Sequence, residues 1–199
     1  MQEKNNKSDF RGNFTEKYFN FLKKDLEYIK NNFSEEIGTI VDILLDARNN
    51  NKNVFIMGNG GSGATASHFV GDLSKGAIVE HKPRFKAISL SDNIPNILAW
   101  ANDLCYNDIF IEQLKNLMNP GDVVIGISGS GNSKNIIRAI QYANENDGVT
   151  IGLSGYDGGA LLKIAQCNIH VKDNYMQRVE DIHLILEHLL TSIIREERL

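Results

Sequence analysis

Two short segments of this chain have the composition of anion-binding corners. Gly58-Asn-Gly-Gly-Ser-Gly63 and Ser128-Gly-Ser-Gly-Asn-Ser133 both mix glycine with serine. Glycine lets backbone amides turn toward a ligand, and amides gathered at a helix start carry partial positive charge. On this reading Gly60, Gly61 and Gly129 expose their amides, while the hydroxyls of Ser62, Ser128, Ser130 and Ser133 add donors for phosphate oxygens. Beyond the first segment, His68 and Asp72 stand four residues apart, as neighbours on one helical face. A third set lies near the C-terminus: Glu180, Asp181, His183, Glu187 and His188. Glu180 and Glu187 share a face, as do Asp181 and His188, so spacing alone selects none of them. Imidazole and carboxylate side chains together suit proton transfer between carbons or the holding of a divalent cation.

These residues need a scaffold, and the hydrophobic pattern supplies one. Val54-Phe-Ile-Met57, Lys86-Ala-Ile-Ser-Leu90, Val123-Val-Ile-Gly-Ile127, Thr150-Ile-Gly-Leu153 and Asn168-Ile-His-Val171 read as five strands. The continuous apolar run Val54–Met57 fits a strand covered on both faces. Helical segments alternate with them over 64–75, 96–101, 108–117, 134–146 and 175–197. Strands alternating with helices predict an α/β fold, a parallel sheet with helices on both faces, wound right-handedly. In such a sheet all strand C-termini share one edge, which brings the two glycine–serine corners to a common ligand. Before the first strand the pattern predicts two helices, over 14–32 and from Ser34 onward, after a polar and frayed first dozen residues. The chain thus divides into an N-terminal helical segment, 1–50, and an α/β domain, 51–199.

Composition removes several function classes. With 199 residues, 42% of them apolar, the chain suits one domain with its own core. A formal net charge of −4 argues against nucleic acid as partner, because that role needs a basic surface. Cys105 and Cys167 form neither a CxxC motif nor a disulfide framework and read as reduced thiols. No apolar run is long enough to span a membrane and the N-terminus lacks a signal-peptide core, so the expected location is the cytoplasm. Gly58, Gly60 and Gly63 satisfy the dinucleotide pattern G-x-G-x-x-G, with Asp92 as a conceivable ribose acid. That acid stands 29 residues beyond Gly63, farther than usual, and a dinucleotide leaves the second serine corner unexplained. No G-x-x-x-x-G-K-[ST] motif occurs.

The ordered set Gly58-Asn-Gly-Gly-Ser62, His68-Phe69, Asp72, Ser89-Leu-Ser-Asp92, Ala101-Asn-Asp103, Tyr106-Asn-Asp-Ile-Phe110, Gly121-Asp122, Ile127 to Ser133, Leu153 to Gly159 and Arg178 to His188 resembles the SIS sugar-isomerase superfamily, in its phosphoheptose isomerase branch. The resemblance implies a flavodoxin-like three-layer α/β/α sandwich and a homotetramer with active sites between subunits. It implies interconversion of sedoheptulose 7-phosphate and a heptose 7-phosphate, D-glycero-D-manno-heptose 7-phosphate, feeding lipopolysaccharide or capsule synthesis. Phosphate would meet Ser128, Gly129, Ser130 and Ser133; Asn59, Gly60, Gly61, Ser62, Asp103 and Glu180 would lie near the sugar. It also implies one zinc ion per site on His68, Asp72, Glu180 and His188, with Asp72 as proton-shuttling base and His188 as partner acid/base. The family's usual glutamate is Asp72 here, its usual glutamine is Glu180, and an aspartate is replaced by Gln177. The competing reading is a non-catalytic SIS module, a phosphosugar sensor or replication adaptor. The adaptor branch lacks the full histidine and acid set, whereas all four positions here carry metal-competent side chains.

Overall fold

The protein's structure, a computed structural model, describes residues 2–196. Two helices come first, α1 (Gln2–Asn32) and α2 (Ser34–Asn49), and the sheet begins with β1 (Asn53–Gly58). Next come α3 (Gly60–Gly71), β2 (Lys86–Ser89), α4 (Ile94–Asp103), α5 (Ile111–Leu117), β3 (Val123–Ser128) and α6 (Lys134–Glu145). The chain closes with β4 (Val149–Ser154), α7 (Leu161–Ile164), β5 (Cys167–His170) and α8 (Met176–Glu196). The five strands form one sheet in the order β2-β1-β3-β4-β5, every pairing parallel.

Strand periodicity explains the layers. Successive side chains of a strand face opposite sides. Val54 and Ile56 of β1 enter one core with Ile40, Leu44, Phe69, Ile125, Ile182 and Leu186. Phe55 and Met57 enter the other with Phe110, Leu114, Val124, Ile136, Ile140 and Leu161. Helices α2, α3 and α8 therefore cover one face, and α5, α6 and α7 the other, giving three layers. Because α2 contributes Ile37, Ile40, Val41 and Leu44, the N-terminal helical segment shares the first core.

Register sets the position of the two corners. Gly58 pairs with Ile127 across β1 and β3, so both strands end at the same level. The chain leaves β1 for β2 on one side and later enters β3 on the other. This reversal opens a crevice at the strand C-termini, where open α/β sheets bind ligands. The tight corner after β3 is fixed by Gly131, whose φ is +64° and whose added Cβ would lie 2.0 Å from the Gly158 carbonyl oxygen. No L-side chain fits there.

Three details differ from the sequence expectation. Helix α3 starts at Gly60 rather than at 64, so most of the first glycine corner is already helical. It ends at Gly71 and passes into a π-turn, Asp72–Gly76, which opens with one of the expected site residues. Helix α1 extends back to Gln2, through the stretch expected to fray.

Candidate active site

After β1, Asn59 is extended (φ −107°, ψ 147°) and Gly60 takes φ +53°, which turns the chain into α3. After β3 the chain turns through Gly131, and Ser133 leads into α6. Neither helix start receives a side-chain cap. The first amides of a helix lack intrahelical acceptors, so these two starts direct donors into the crevice. A cavity of about 260 Å³ lies between them. The first corner lines it with Asn59, Gly60, Gly61 and Ser62, the second with Ser128, Gly129, Ser130 and Ser133. Met176 and Glu180 of α8 form the remaining wall.

Local contacts hold these groups in place. The Ser128 and Ser133 hydroxyls are 3.1 Å apart, and the Asn132 amide donates to Ser130 Oγ at 3.2 Å. Asn59 and Asn135 exchange amide hydrogen bonds, Nδ2 of each donating to Oδ1 of the other at 3.0 and 2.9 Å. The Tyr106 hydroxyl donates to the same Asn59 Oδ1 at 2.8 Å. Asn135 belongs to α6, so this pair ties the first corner to the helix that follows the second. Glu180 stands against the start of α3: a Cβ built on Gly61 would lie 2.5 Å from its Oε1.

Farther along the seam between α3 and α8, two imidazoles and two carboxylates converge. His68 Nε2 and His188 Nε2 are 3.1 Å apart. Asp72 places Oδ1 3.8 Å from His68 and Oδ2 3.9 Å from His188. Glu187 Oε1 lies 3.6 Å from the first imidazole nitrogen and 3.5 Å from the second. One ligand atom from each residue falls within 4.8 Å of all the others. Both histidine side chains are about half exposed, while that of Glu187 is fully buried. Neither Glu187 carboxylate oxygen has a hydrogen-bond partner. Burial, with the nearby charge of Asp72 added, pushes its carboxyl up to about 8.

The donor set fits zinc. Bonds of about 2.0–2.1 Å to nitrogen and oxygen give a tetrahedron with edges of roughly 3.3 Å, and the histidine contacts here run from 3.1 to 3.9 Å. Borderline-soft imidazole nitrogen combined with carboxylate oxygen suits that ion. The cavity's first corner and its α8 wall share their two helices with the cluster. At 1.5 Å per residue, Ser62 to His68 along α3 spans roughly 9 Å, and Glu180 to His188 along α8 roughly 12 Å.

Of the four residues expected to share a metal, this chain brings together His68, Asp72 and His188. Glu180 is not among them. Two helical turns separate it from His188, which places it in the serine cavity, and Glu187 stands in the cluster instead. A signal for Glu187 existed in the sequence: it lies on the buried stripe of α8 with Val179, Ile182, Leu186 and Leu190, where a carboxylate is costly unless paired or ligated. Asp103 lies exposed at the end of α4, bonded to the Asn102 side chain at 2.9 Å and away from the cavity lining. His183 is buried, with Nε2 3.3 Å from the Ser154 carbonyl oxygen, and burial pulls its pKa down to about 4. Asp92 accepts a hydrogen bond from Ser67. The linking residues Asn135 and Tyr106 escaped the sequence reading as site residues; nothing in their spacing marks them.

Comparison with known proteins points the same way. The SIS domain sequence model matches residues 17–155. A phosphoheptose isomerase from Geotalea daltonii is 38% identical over 177 residues, which cover 89% of this chain and 91% of that protein. A second, from Helicobacter hepaticus, is 38% identical over 156 residues, 78% of this chain and 79% of the relative. The solved structure of a phosphoheptose isomerase from Neisseria gonorrhoeae matches with a TM-score of 0.85 at 26% identity, covering 92% of this chain and 97% of that one.

Proposed function

The chain belongs to the SIS domain family, among relatives named phosphoheptose isomerases, and we propose that it interconverts sedoheptulose 7-phosphate and D-glycero-D-manno-heptose 7-phosphate. The observation that carries this reading is the placement of a serine-lined cavity and an imidazole–carboxylate cluster along one helical seam. A binding module needs only the first; an aldose–ketose isomerase needs both.

In this reading the phosphate sits on the second corner, against the start of α6, with hydroxyls from Ser128, Ser130 and Ser133 and the Gly129 amide. Glu180 already sets a carboxylate at the start of α3. That end of the cavity is therefore suited to sugar hydroxyls, which can donate to Glu180 and to Asn59 and meet the Gly60, Gly61 and Ser62 amides. The sugar's carbonyl end extends along the seam toward His68 and His188. Asp72 removes the proton from the carbon beside the carbonyl and returns it to the neighbouring carbon. His188 moves a proton between the two oxygens of the enediol. Zinc held by His68, Asp72 and His188 would supply positive charge beside the oxygen that becomes negative.

No helix among the described residues is long and apolar enough to cross a membrane, in keeping with a reaction in the cytoplasm that feeds lipopolysaccharide or capsule synthesis. Exposed aromatic residues on α1, Phe14, Phe19 and Phe21 among them, support assembly. We read the unit as a homotetramer with active sites between subunits, the setting in which exposed Asp103 would approach substrate.

Asp72→Asn and His188→Ala should each lower kcat at least 100-fold, the lower end of general acid–base contributions, while phosphosugar affinity changes only several-fold. Turnover is measured on seven-carbon and six-carbon ketose phosphates with metal-loaded protein. Normal turnover in both variants removes the assignment. Tight binding without conversion by the parent protein instead favours a sensor.

A further inference from the structure

The geometry points to Glu187 as a ligand of the same metal ion, supplied by the chain that also supplies His68, Asp72 and His188. This inference rests on the metal reading above and changes its ligand set, since the family resemblance places Glu180 in that role.

The argument begins with what Glu187 lacks. Its side chain is fully buried on α8 and both carboxylate oxygens are without a hydrogen-bond partner. Buried polar groups are almost always satisfied, so an orphaned carboxylate needs a specific explanation. The near polar atoms recorded for it are the two imidazole nitrogens, at 3.6 and 3.5 Å, too long for hydrogen bonds of normal geometry. These are lengths for atoms that share a cation between them. The imidazole pair fits the same ion, since the two Nε2 atoms stand 3.1 Å apart, within the spacing of two ligands on one cation. A divalent ion satisfies both nitrogens and both carboxylates together.

Charge agrees. Two neutral imidazoles with ionised Asp72 and Glu187 balance a dication within a partly buried site. Glu180 lines the serine cavity instead and touches the start of α3. Position in the helix gives each neighbour a separate approach. Residues 187 and 188 differ by about 100° around the axis, so Glu187 reaches the ion from the buried side and His188 from the solvent side.

The test compares the parent protein with Glu187→Gln, Glu187→Leu and Glu180→Gln, each stripped by chelator and titrated with zinc against a chromophoric competitor. Cobalt(II) substitution reports the ligand field through its visible bands. The parent protein should bind one zinc per chain. Glu187→Gln should weaken zinc binding by at least about 10- to 100-fold, a loss already seen on removing groups that merely support metal ligands, and should shift the cobalt bands. Glu180→Gln should leave both measurements unchanged. Stripped Glu187→Leu should melt above the stripped parent protein, because it buries no orphaned carboxylate, and zinc should raise the melting temperature of the parent far more than that of this variant. Wild-type zinc affinity and an unshifted cobalt spectrum in Glu187→Gln would overturn the inference, as would loss of zinc in Glu180→Gln alone. A parent protein that binds zinc through Glu187 yet converts no phosphosugar would refute the proposed reaction and leave the ligand assignment standing.

Discussion

Ser128 and Ser133 are separated by a full corner of chain, yet their hydroxyls meet at 3.1 Å over the start of an uncapped helix. Each can turn its proton toward a phosphate oxygen, and hydrogen bonds to charged groups contribute about 1.5–3 kcal/mol. Ser128→Ala and Ser133→Ala should therefore each raise KM for the phosphosugar by roughly 10- to 100-fold with a smaller effect on kcat, measured by steady-state kinetics. An unchanged KM in both would move the phosphate elsewhere. The serines stood out by residue type and position, while His68 and Asp72 stood out by their place just after the first corner together with the family resemblance. Glu187 was not singled out, because spacing leaves five acids and histidines on the last helix equivalent. The choice depends on which face of α8 turns toward α3. The apolar stripe through Leu186 and Leu190 carries that information, and a carboxylate on it marks a ligand or a strained acid.

Among the elements, α1 meets the start of α8 through a small charged cluster. Arg178 donates from Nη2 to Asp173 at 2.7 Å and also from Nε, and its guanidinium lies 4.7 Å from the Phe21 ring centre and 4.6 Å from that of Tyr175. Burial pushes Asp173 up, but the paired hydrogen bonds from Arg178 outweigh it and hold that carboxyl below its ordinary range. Asp25 of α1 is pushed up to about 7, first by burial and then by its contact with Asp173. A folded-state pKa above the unfolded value means that the folded chain binds more protons between about pH 4 and pH 7, so stability falls as pH rises through that window. Asp25→Asn should remove this loss. Its urea midpoint should exceed the parent's at about pH 8, and the two should converge near pH 4. Parallel curves across the range would show that Asp25 is not the titrating group. The inner strands β1, β3 and β4 were legible because burial on both faces demands largely apolar runs. The start of α3 was not, since Gly60 to Gly63 read as a loop by propensity, while a ligand-facing first turn tolerates glycine. Nor could the π-turn at Asp72–Gly76 be read, because it depends on how α3 packs against α8.

At the scale of the whole molecule, the strand order β2-β1-β3-β4-β5 places the reversal of connectivity between the two serine-bearing corners. Alternating strands and helices predict such a sheet but not its order, because spacing does not choose a strand's neighbour. Among the described residues, an apolar surface on α1 and α8 is uncovered. Phe14, Phe19 and Phe21 on α1, with Ile185 and Leu189 on α8, are exposed, and an apolar groove of about 330 Å³ runs between α1, α2 and α8. Exposed apolar area of this kind supports the assembly proposed above. Phe14→Ser combined with Phe19→Ser should shift the mass measured by light scattering from a tetramer to smaller species at micromolar concentration. A parent protein that is monomeric at the same concentration would end the assembly reading.

The seam between α3 and α8 has one more consequence. In the proposed binding mode the phosphate corner at the start of α6 and the imidazoles on α3 and α8 are all held by one sheet, so the gap between them would work as a ruler. A phosphosugar anchored by its phosphate presents its carbonyl to the imidazoles only when its carbon skeleton matches that gap. A triose phosphate held in the same cradle would stop short of them, and selection by skeleton length would need no side chain assigned to reject it.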